Sequence, residues 1–548
     1  MSRAAEALKR SGPYAPAFFL VFAVAAGGLR SPADWLLFGA VFLAWAALAP
    51  RGFSPAAPAA PLLFFAWLAA AAVFSPWPAA SLGVFSRYAV FGFLFFYAVS
   101  AEEGRDPWLA AVLGLGAAAA ALLVFQRLSG HGPTGFIGAN PNYSAAFCAA
   151  AFPAAVLALS GAGEKKKRFI YSALALLLAA GLYAAVSRGA ALAAFLSASA
   201  GLALSRRWKW LAGLLLAVLA AAALLPVSSW ESLLKFYDPR AFARPRLWGA
   251  ALEAAASSPL LGWGPGSFGK VFEAVKFPYF DGLSFYGHNT LHAHSELLNL
   301  AAEAGFPAAL LFLASAAAAL LSGGREKLPV KLCALAVLLQ GGVDMVFYSG
   351  AVALLFWGSL GFSAGGPIPA EVPPSGPAFG WKTALAALCL GGLALGPAAG
   401  HYGGGHKFIE RAYGEARSGR NSGLALALAR SSALENPKDA FIAAEEGAAF
   451  AACWDIAGAA AALGRALSLE PGFAGARLDL AAVHAAGGRR EEACRELALL
   501  KKVPAGDPEN KYQSALLHFD VRAAEELEKA LCRKKKSGTA TASPRMKR

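Results

Sequence analysis

The sequence predicts an all-α protein in which a polytopic helical membrane domain precedes an α-solenoid of helical repeats. Three observations lead to this fold class. The 548-residue chain has a mean hydropathy of +0.50. Its residues are 57% hydrophobic and only 15% charged, which is typical of multi-pass membrane proteins. Long apolar runs fill the first part of the chain, and a more polar, repetitive sequence follows them.

Apolar runs long enough to cross a membrane organise residues 1–399, which we assign to the polytopic membrane domain. A membrane-spanning helix needs about 20 mostly apolar residues, and we predict 12–13 such helices. No clear small-residue cleavage site follows the basic start of the chain, so the first run is interpreted as a retained span. The predicted spans are residues 14–29, 33–49, 58–75, 83–100, 108–126, 142–160, 169–186, 190–205, 210–226, 301–321, 329–345, 347–363 and 380–399.

Lysine and arginine residues in short loops predict the orientation of this domain, because cytoplasmic loops of membrane proteins are rich in them. Basic clusters at 165–168, 206–209 and 325–327 fall on one side of the predicted spans, together with the basic N-terminus. We therefore expect the large loop at about 227–300 and the whole C-terminal domain to be extracytoplasmic. The loops and a basic tail account for much of the net charge of +15, so the charge indicates a lipid bilayer and no nucleic acid as partner.

A sequence repeat begins where the composition changes, at about residue 400. The segment ALENP at 433–437 recurs as SLEPG at 468–472, which places Pro437 and Pro471 34 residues apart. A 34-residue period with two helical stretches per unit is the tetratricopeptide signature. Each such unit buries its apolar face only against its neighbours, so several units are needed for a stable array.

The repeat domain is assigned to residues 400–533, with about three repeats from Asn421 to Pro504 and one closing helix at 512–531. Two functions stay open for it. Its concave face could hold an acceptor or a protein partner, or the domain could be a stabilising cap over the membrane domain. Residues 534–548 are small, polar and basic, and we expect this tail to be disordered.

The six cysteines fall into two groups of three. Those in the apolar runs are expected to be small core residues. Cys453, Cys494 and Cys532 would face an oxidising compartment, where disulfides form. Because three is an odd number, at most one disulfide can form among them, and the sequence does not determine the pairing. No cysteine spacing typical of a zinc site is present.

Between residues 230 and 305 a polar segment interrupts the apolar sequence. Ionisable residues within or beside a membrane are costly to place there, so they are functional candidates. A guanidinium group presents a planar fork of donors that matches phosphoryl oxygens, and an imidazole suits proton transfer near neutral pH. The candidates of these two kinds are Arg244, Arg246, His288, His292 and His294.

Arg188 lies in a Ser-Arg-Gly turn within an apolar run, 169–205, that is too long for one span and therefore predicts a helical hairpin. Phosphate binding and snorkelling of the side chain to the membrane interface are both open for this arginine. Solvated loop charges are the alternative for Arg244 and Arg246. The three histidines could also form a metal site, although no spacing of metal ligands is recognisable.

Three motifs resemble the O-antigen ligase and polymerase superfamily. They are R-x-x-x-W from Arg244 to Trp248, PLLGWGPGSF at 259–268, and His294 followed eleven residues later by Gly305. The resemblance covers roughly residues 60–365 and implies a membrane fold of the glycosyltransferase C type in the cell inner membrane. It also implies a metal-independent glycosyltransferase without a cofactor, which moves a glycan from an undecaprenyl-diphosphate carrier to an acceptor at the outer face.

The resemblance also implies roles for individual residues. His294 would be the catalytic residue that deprotonates or orients the acceptor hydroxyl. Arg188 and Arg244 would bind the donor diphosphate, with Arg246 as the alternative to Arg244. Asn142, in an Asn-Pro-Asn turn similar to one of the family, is interpreted as a helix N-cap. Possible accessory residues are Arg87, His288, Glu296 and Glu303.

The acceptor is not determined by these motifs, which ligases, surface-polysaccharide polymerases and protein O-oligosaccharyltransferases share. A lipid A core, as in lipopolysaccharide biosynthesis, another glycan and a protein hydroxyl all stay open. A fused repeat domain weakens the hypothesis of a plain lipid A ligase, because the simplest members lack it. A transporter of lipid-linked sugar is disfavoured, since the charges cluster at the predicted outer surface and not at the membrane midplane. A non-catalytic anchor for the repeats would leave the arginines and histidines unexplained.

Overall fold

The computed structural model describes residues 12–48, 58–138, 140–224, 226–228, 231, 243–365, 385–394, 405–419 and 421–532. Within these ranges every regular element is a helix, which confirms the all-α prediction. The chain divides into two compact units. The first comprises Met1–Val271 and Leu291–Tyr402, and the second comprises Phe272–Thr290 and Gly403–Arg548. The predicted tail at 534–548 lies outside the described residues.

The first unit is a bundle of apolar helices, and each predicted span coincides with one of them. Among the described residues, five helices are long and apolar enough to cross a membrane: Pro78–Ser100, Glu102–Leu128, Pro141–Gly161, Lys165–Ala185 and Glu296–Leu321. The multi-pass membrane fold is thereby confirmed, and the count of 12–13 spans stays a prediction. The shorter helices at the other predicted spans are Ala15–Ala25, Pro32–Leu48, Ala59–Val73, Arg188–Leu204, Trp208–Leu224, Leu328–Gly341, Gly350–Ala364 and Leu385–Ala394.

The predicted helical hairpin around Arg188 is present. Its first helix ends at Ala185, Val186 takes a left-handed backbone conformation with φ 52°, and the second helix begins at Arg188. Small residues allow the first helix to approach its neighbour closely: a Cβ at Gly181 would come within 2.6 Å of the Ala120 backbone. Such small-residue contacts are typical of packed membrane helices.

The centre of the first unit is the helix Gly350–Ala364, which is buried along nearly its whole length. Trp357 on this helix is surrounded by aromatic rings, including those of Phe64 and Phe65 at centroid distances of 5.5 and 4.9 Å. Aromatic pairs at such distances add to the free energy gained from burying their area. The turn that precedes this helix, from Gly342 to Ser349, is thereby fixed inside the bundle.

The second unit is an array of antiparallel helix pairs with alanine-rich contacts, as the 34-residue period predicts. Its helices are Gly405–Ser418, Ser422–Glu435, Ala440–Ala452, Ile456–Leu469, Ala474–Ala486, Arg490–Leu500, Lys511–Leu517 and Val521–Leu531. The prediction of a single closing helix at 512–531 was wrong. The chain breaks at His518–Asp520, because the Asp520 carboxylate accepts hydrogen bonds from the Arg522 and Ala523 amides and starts a new helix.

Two further features of the second unit concern chain connectivity. Cys494 and Cys532 form a disulfide, and Cys453 is not disulfide-bonded. The residues Phe272–Thr290, which we call the loop segment, belong to this unit. The predicted domain boundaries stay a prediction.

Candidate functional site

A buried carboxylate, Asp344, lies where several of the predicted site residues meet. Asp344 is 2% exposed. The Asn142 amide donates a hydrogen bond to Asp344 Oδ2 at 2.6 Å. Arg244 Nη2 lies 3.7 Å from Oδ1, and His294 Nδ1 lies 3.9 Å from the same oxygen. A buried carboxylate is stable only when charged or hydrogen-bonding groups face it, and these three side chains provide them.

Arg244 is brought to this carboxylate as the first residue of the helix Arg244–Ser257. Its Nη1 also donates a hydrogen bond of 2.7 Å to the Val343 carbonyl. Trp248, one turn further along, donates from Nε1 to the His294 carbonyl at 3.4 Å. Residues four apart share one helix face, which explains the R-x-x-x-W spacing. Arg246 is exposed, as expected for a residue two positions from Arg244.

The same helix differs in one detail from its predicted apolar face. An apolar face predicted from helical spacing of this stretch, Leu247, Trp248, Ala251, Leu252 and Ala255, includes Leu252, which is 46% exposed. The helix instead buries an alanine-rich stripe, and this stripe consists of Leu247, Ala250, Ala251, Ala254 and Ala255. Small side chains let the helix pack closely while Arg244 points towards Asp344.

His294 has a left-handed backbone with φ 53°. A left-handed backbone is uncommon for residues other than glycine, although histidine adopts it more often than most, and such conformations cluster at functional sites. The preceding residue is fixed because Asn299 Oδ1 accepts a hydrogen bond from the Ala293 amide at 3.2 Å. The His294 side chain is 26% exposed, so a substrate can reach a ring whose Nδ1 faces Asp344.

His292 packs beside His294 but differs from it in environment. Its ring centroid lies 4.2 Å from that of Tyr348. Burial, together with the neighbouring His294, lowers the pKa of His292 to about 4, so its imidazole is neutral near pH 7. Both histidines line a small pocket whose other lining residues are Ser295, Glu296, Asn299, Met345 and Tyr348.

The two predicted accessory carboxylates have different partners. Glu296, which lines the pocket, accepts a hydrogen bond of 3.2 Å from the Tyr88 hydroxyl. Both oxygens of Glu303 accept hydrogen bonds from backbone amides, those of Gly266 at 2.8 Å and Phe268 at 3.1 Å. Glu303 therefore holds the glycine- and proline-rich loop at 259–268 in place.

The spacing between His294 and Gly305 has a structural cause. Gly305 has φ 80°, and a Cβ at this position would come within 1.9 Å of the Leu260 carbonyl oxygen. The next amide, that of Phe306, donates to the Pro259 carbonyl at 2.9 Å. The loop at 259–268 thus lies directly on the kinked helix that His294 precedes, and only glycine fits at residue 305.

The remaining candidates lie in three other places. The turn carrying Arg188 touches the site, since a Cβ at Gly189 would come within 3.3 Å of the Val343 side chain. The Arg87 guanidinium lies 5.6 Å from the centroid of the Trp35 ring. His288 belongs to the second unit, where its ring packs at 4.9 Å from that of Phe277.

Sequence reasoning missed Asp344 and gave Asn142 the wrong role. Asp344 had been included in the apolar run 329–345, although a carboxylate in such a run is a signal of function. The N-cap of the helix Pro141–Gly161 is Asn140, whose side chain accepts from the Asn142 amide, and the Asn142 side chain binds Asp344 instead. Within the described residues, no group of three or more His, Cys, Asp or Glu is placed to hold a metal ion.

Comparison with protein families identifies both parts of the chain. Residues 173–313 match the family model of the O-antigen ligase. That part of the chain is similar to an O-antigen ligase domain. Residues 454–517 match a tetratricopeptide repeat, so the predicted O-antigen ligase-like protein with C-terminal repeats is confirmed. No curated protein matches the chain.

The residues that match the O-antigen ligase include part of the candidate site. The matched residues include Arg188, Arg244 and His294, whereas Asp344 and its partner Asn142 lie outside them. An O-antigen ligase domain supports a ligase-like or glycosyltransferase-like activity for this membrane protein.

Proposed function

We propose that this O-antigen ligase-like protein transfers a glycan from an undecaprenyl-diphosphate carrier to an acceptor hydroxyl at the outer face of the inner membrane. The observation that carries the proposal is the cluster of Arg244, His294 and Asp344, with the Arg188 turn beside it. The partly exposed imidazole of His294 and the guanidinium of Arg244 both face the buried carboxylate of Asp344. This arrangement suits proton transfer next to an anionic leaving group.

In the proposed reaction His294 is the general base. Asp344 Oδ1 lies 3.9 Å from Nδ1, and a shift of the ring towards this carboxylate would favour the tautomer that carries its proton on Nδ1. Nε2 would then accept the proton of the acceptor hydroxyl. The acceptor oxygen forms a bond to the anomeric carbon as the bond from that carbon to the phosphate oxygen breaks. The carrier leaves as its diphosphate, and its developing charge is neutralised by Arg188 and Arg244. Asp344 holds the ring of His294 and the guanidinium of Arg244 in place.

The outer face of the membrane is supported by two independent features. The basic loops predict that the loop at about 227–300 and the repeat domain are extracytoplasmic. The repeat domain contains the Cys494–Cys532 disulfide, and disulfides persist in oxidising compartments such as the periplasm. A polyprenyl-linked donor and an outer-face acceptor are both accessible there.

The proposal is tested with purified protein, a synthetic undecaprenyl-diphosphate-linked glycan and three separate acceptors: lipid A core, free glycan and a protein. We expect transfer to one acceptor, with release of undecaprenyl diphosphate detected by mass spectrometry. EDTA should leave the rate unchanged, because the proposed chemistry uses no metal ion. Absence of transfer to all three acceptors, or loss of activity in EDTA with recovery on adding metal, would overturn the proposal.

A further inference from the structure

The loop segment, Phe272–Thr290, is bound to the repeat array by a buried carboxylate. Glu470 Oε2 accepts a hydrogen bond from the Phe285 amide at 2.8 Å, and Oε1 accepts one from the Tyr286 amide at 2.6 Å. The Tyr512 hydroxyl donates to Oε1 at 3.0 Å. Glu470 is 0% exposed. Its two loop partners are backbone amides, so the carboxylate recognises the main chain and not a particular side chain.

The position that Glu470 occupies in the repeat can be compared with the same position in the preceding repeat. Aligning Pro437 with Pro471 places Asn436 at the corresponding position of the preceding repeat. Asn436 is also buried, but its amide donates to the Ser432 carbonyl within its own helix, at 3.0 Å. The preceding repeat therefore has an uncharged amide at this position, whereas the next repeat has a carboxylate that binds the loop segment.

Two further contacts hold the same segment. The side chain of Leu283 is inserted against the repeats: it is 4% exposed, and a Cβ at Gly472 would come within 2.8 Å of its Cδ1. Lys438 Nζ donates to the Lys276 carbonyl at 2.7 Å. The segment is thus attached to successive repeats through Lys438, Glu470 and Tyr512.

Hydrogen bonds within the loop segment hold its turn. Asp281 accepts hydrogen bonds from the Ser284 amide and hydroxyl, both at 2.7 Å, and the Tyr279 amide donates to the Phe285 carbonyl at 2.8 Å. Burial and the nearby Glu470 raise the pKa of the Tyr512 phenol, which keeps its proton available as a donor. A preformed turn loses less conformational entropy when it binds.

We propose that the ligand of the repeat array is this chain's own loop segment, and that Glu470 and Tyr512 are positioning residues for the segment that leads into the catalytic histidine. His294 follows Tyr286 by only eight residues, so fixing the segment limits the positions that His294 can take. The catalytic part of this inference rests on the proposed function, whereas binding of the segment does not. A separate protein partner would have to displace the segment or use another surface.

The binding is tested by hydrogen–deuterium exchange on the full-length protein in detergent. Hydrogen bonds to a buried carboxylate lower the free energy of the bound segment. Their loss should therefore speed exchange of its amides roughly ten- to a hundredfold. We expect this increase in peptides covering 276–287 for Glu470→Ala, with peptides from the helix Ala474–Ala486 unchanged. Tyr512→Phe should give a smaller increase. Asn436→Ala is the matched control and should leave the segment protected.

Two outcomes would overturn the inference. In the first, the repeats of Glu470→Ala remain folded and the loop segment exchanges at the wild-type rate. In the second, the loop segment of the wild-type protein exchanges as fast as a free peptide. If Glu470→Ala unfolds the repeats, Glu470→Gln replaces it, because it keeps the shape and one acceptor oxygen. In Glu470→Ala, the kcat of glycan transfer should fall, while the affinity for the donor should stay unchanged. A protected segment in a wild-type protein that transfers nothing would refute the proposed reaction and leave the binding standing.

Discussion

Asn142 and Asp344 are joined by a hydrogen bond of 2.6 Å although they lie 202 residues apart in the sequence. The bond connects the first turn of the helix Pro141–Gly161 to the turn before Gly350–Ala364. Gln340 reinforces it, since its side-chain amide donates to the Asn142 carbonyl at 3.1 Å. The carboxylate that faces Arg244 and His294 is therefore anchored from behind, which leaves its Oδ1 directed at the two functional candidates.

Replacing Asp344 by asparagine should slow transfer without unfolding the protein. The amide has nearly the shape of the carboxylate but lacks its charge, and hydrogen bonds to charged groups contribute about 1.5–3 kcal/mol, so we expect at least a roughly tenfold fall in kcat. An unchanged rate would show that Asp344 has no part in the reaction.

Replacing His294 by alanine should reduce transfer about 10²–10⁴-fold, the usual contribution of a general base. Binding of the undecaprenyl-diphosphate donor, measured separately, should change little. His131→Ala serves as the control, because His131 is exposed and lies outside the site. Near-full transfer by His294→Ala would eliminate the base assignment.

Replacing Arg244 by alanine should weaken both donor binding and turnover, by about tenfold or more in each, since a charge-assisted contact to the diphosphate is lost. Lysine should restore only part of the activity, because a point charge does not reproduce the guanidinium fork. Arg188→Ala should behave in the same way. Arg246→Ala is the matched control from the same helix, and equal losses in Arg244→Ala and Arg246→Ala would contradict the assignment.

The membrane orientation can be measured by labelling single cysteines with an impermeant maleimide in intact spheroplasts. The background is Cys453→Ser, which keeps the Cys494–Cys532 disulfide. Cysteine at Asn289 or Ser418, both exposed, should react, whereas cysteine at Lys166 should react only after lysis. Labelling of Asn289→Cys without Ser418→Cys would mean that the two lie on opposite sides and that the span count is wrong.

The buried His292 should make the protein less stable in mild acid. Its folded-state pKa of about 4 is below the ordinary value of about 6.5, so the unfolded state binds more protons between these values. The free energy of unfolding is therefore unaffected by His292 above pH 6.5, and it decreases as the pH falls from 6.5 towards 4. The drop in melting temperature from pH 7 to pH 5 should be smaller in His292→Gln than in the wild type.

The sequence predicted the parts of the site that carry a local signal and missed those that depend on tertiary contacts. Arg244 and Trp248 follow helical spacing, and His294 and Gly305 follow a family spacing, so each could be recognised from a short window. Asp344 was hidden because 329–345 is apolar on average, and its relation to Asn142 exists only after the bundle has packed.

The same limit applies to the second unit. The 34-residue period predicted the array because it repeats along the chain. The pairing of the Phe285 amide with Glu470 joins residues 185 apart, and no periodicity encodes such a pair. The break before Asp520 did have a local signal, an N-cap residue, which the apparent continuity of 512–531 concealed.

The bond between Cys494 and Cys532 ties the last described helix to the array across 38 residues of sequence. A crosslink of this kind typically stabilises a protein by about 2–4 kcal/mol. If the repeat domain is extracytoplasmic, as proposed above, this bond forms in an oxidising compartment after the domain has crossed the membrane. A laboratory that prepares the repeat array on its own should choose a secretory host, because a reducing one would yield an array with an untethered end.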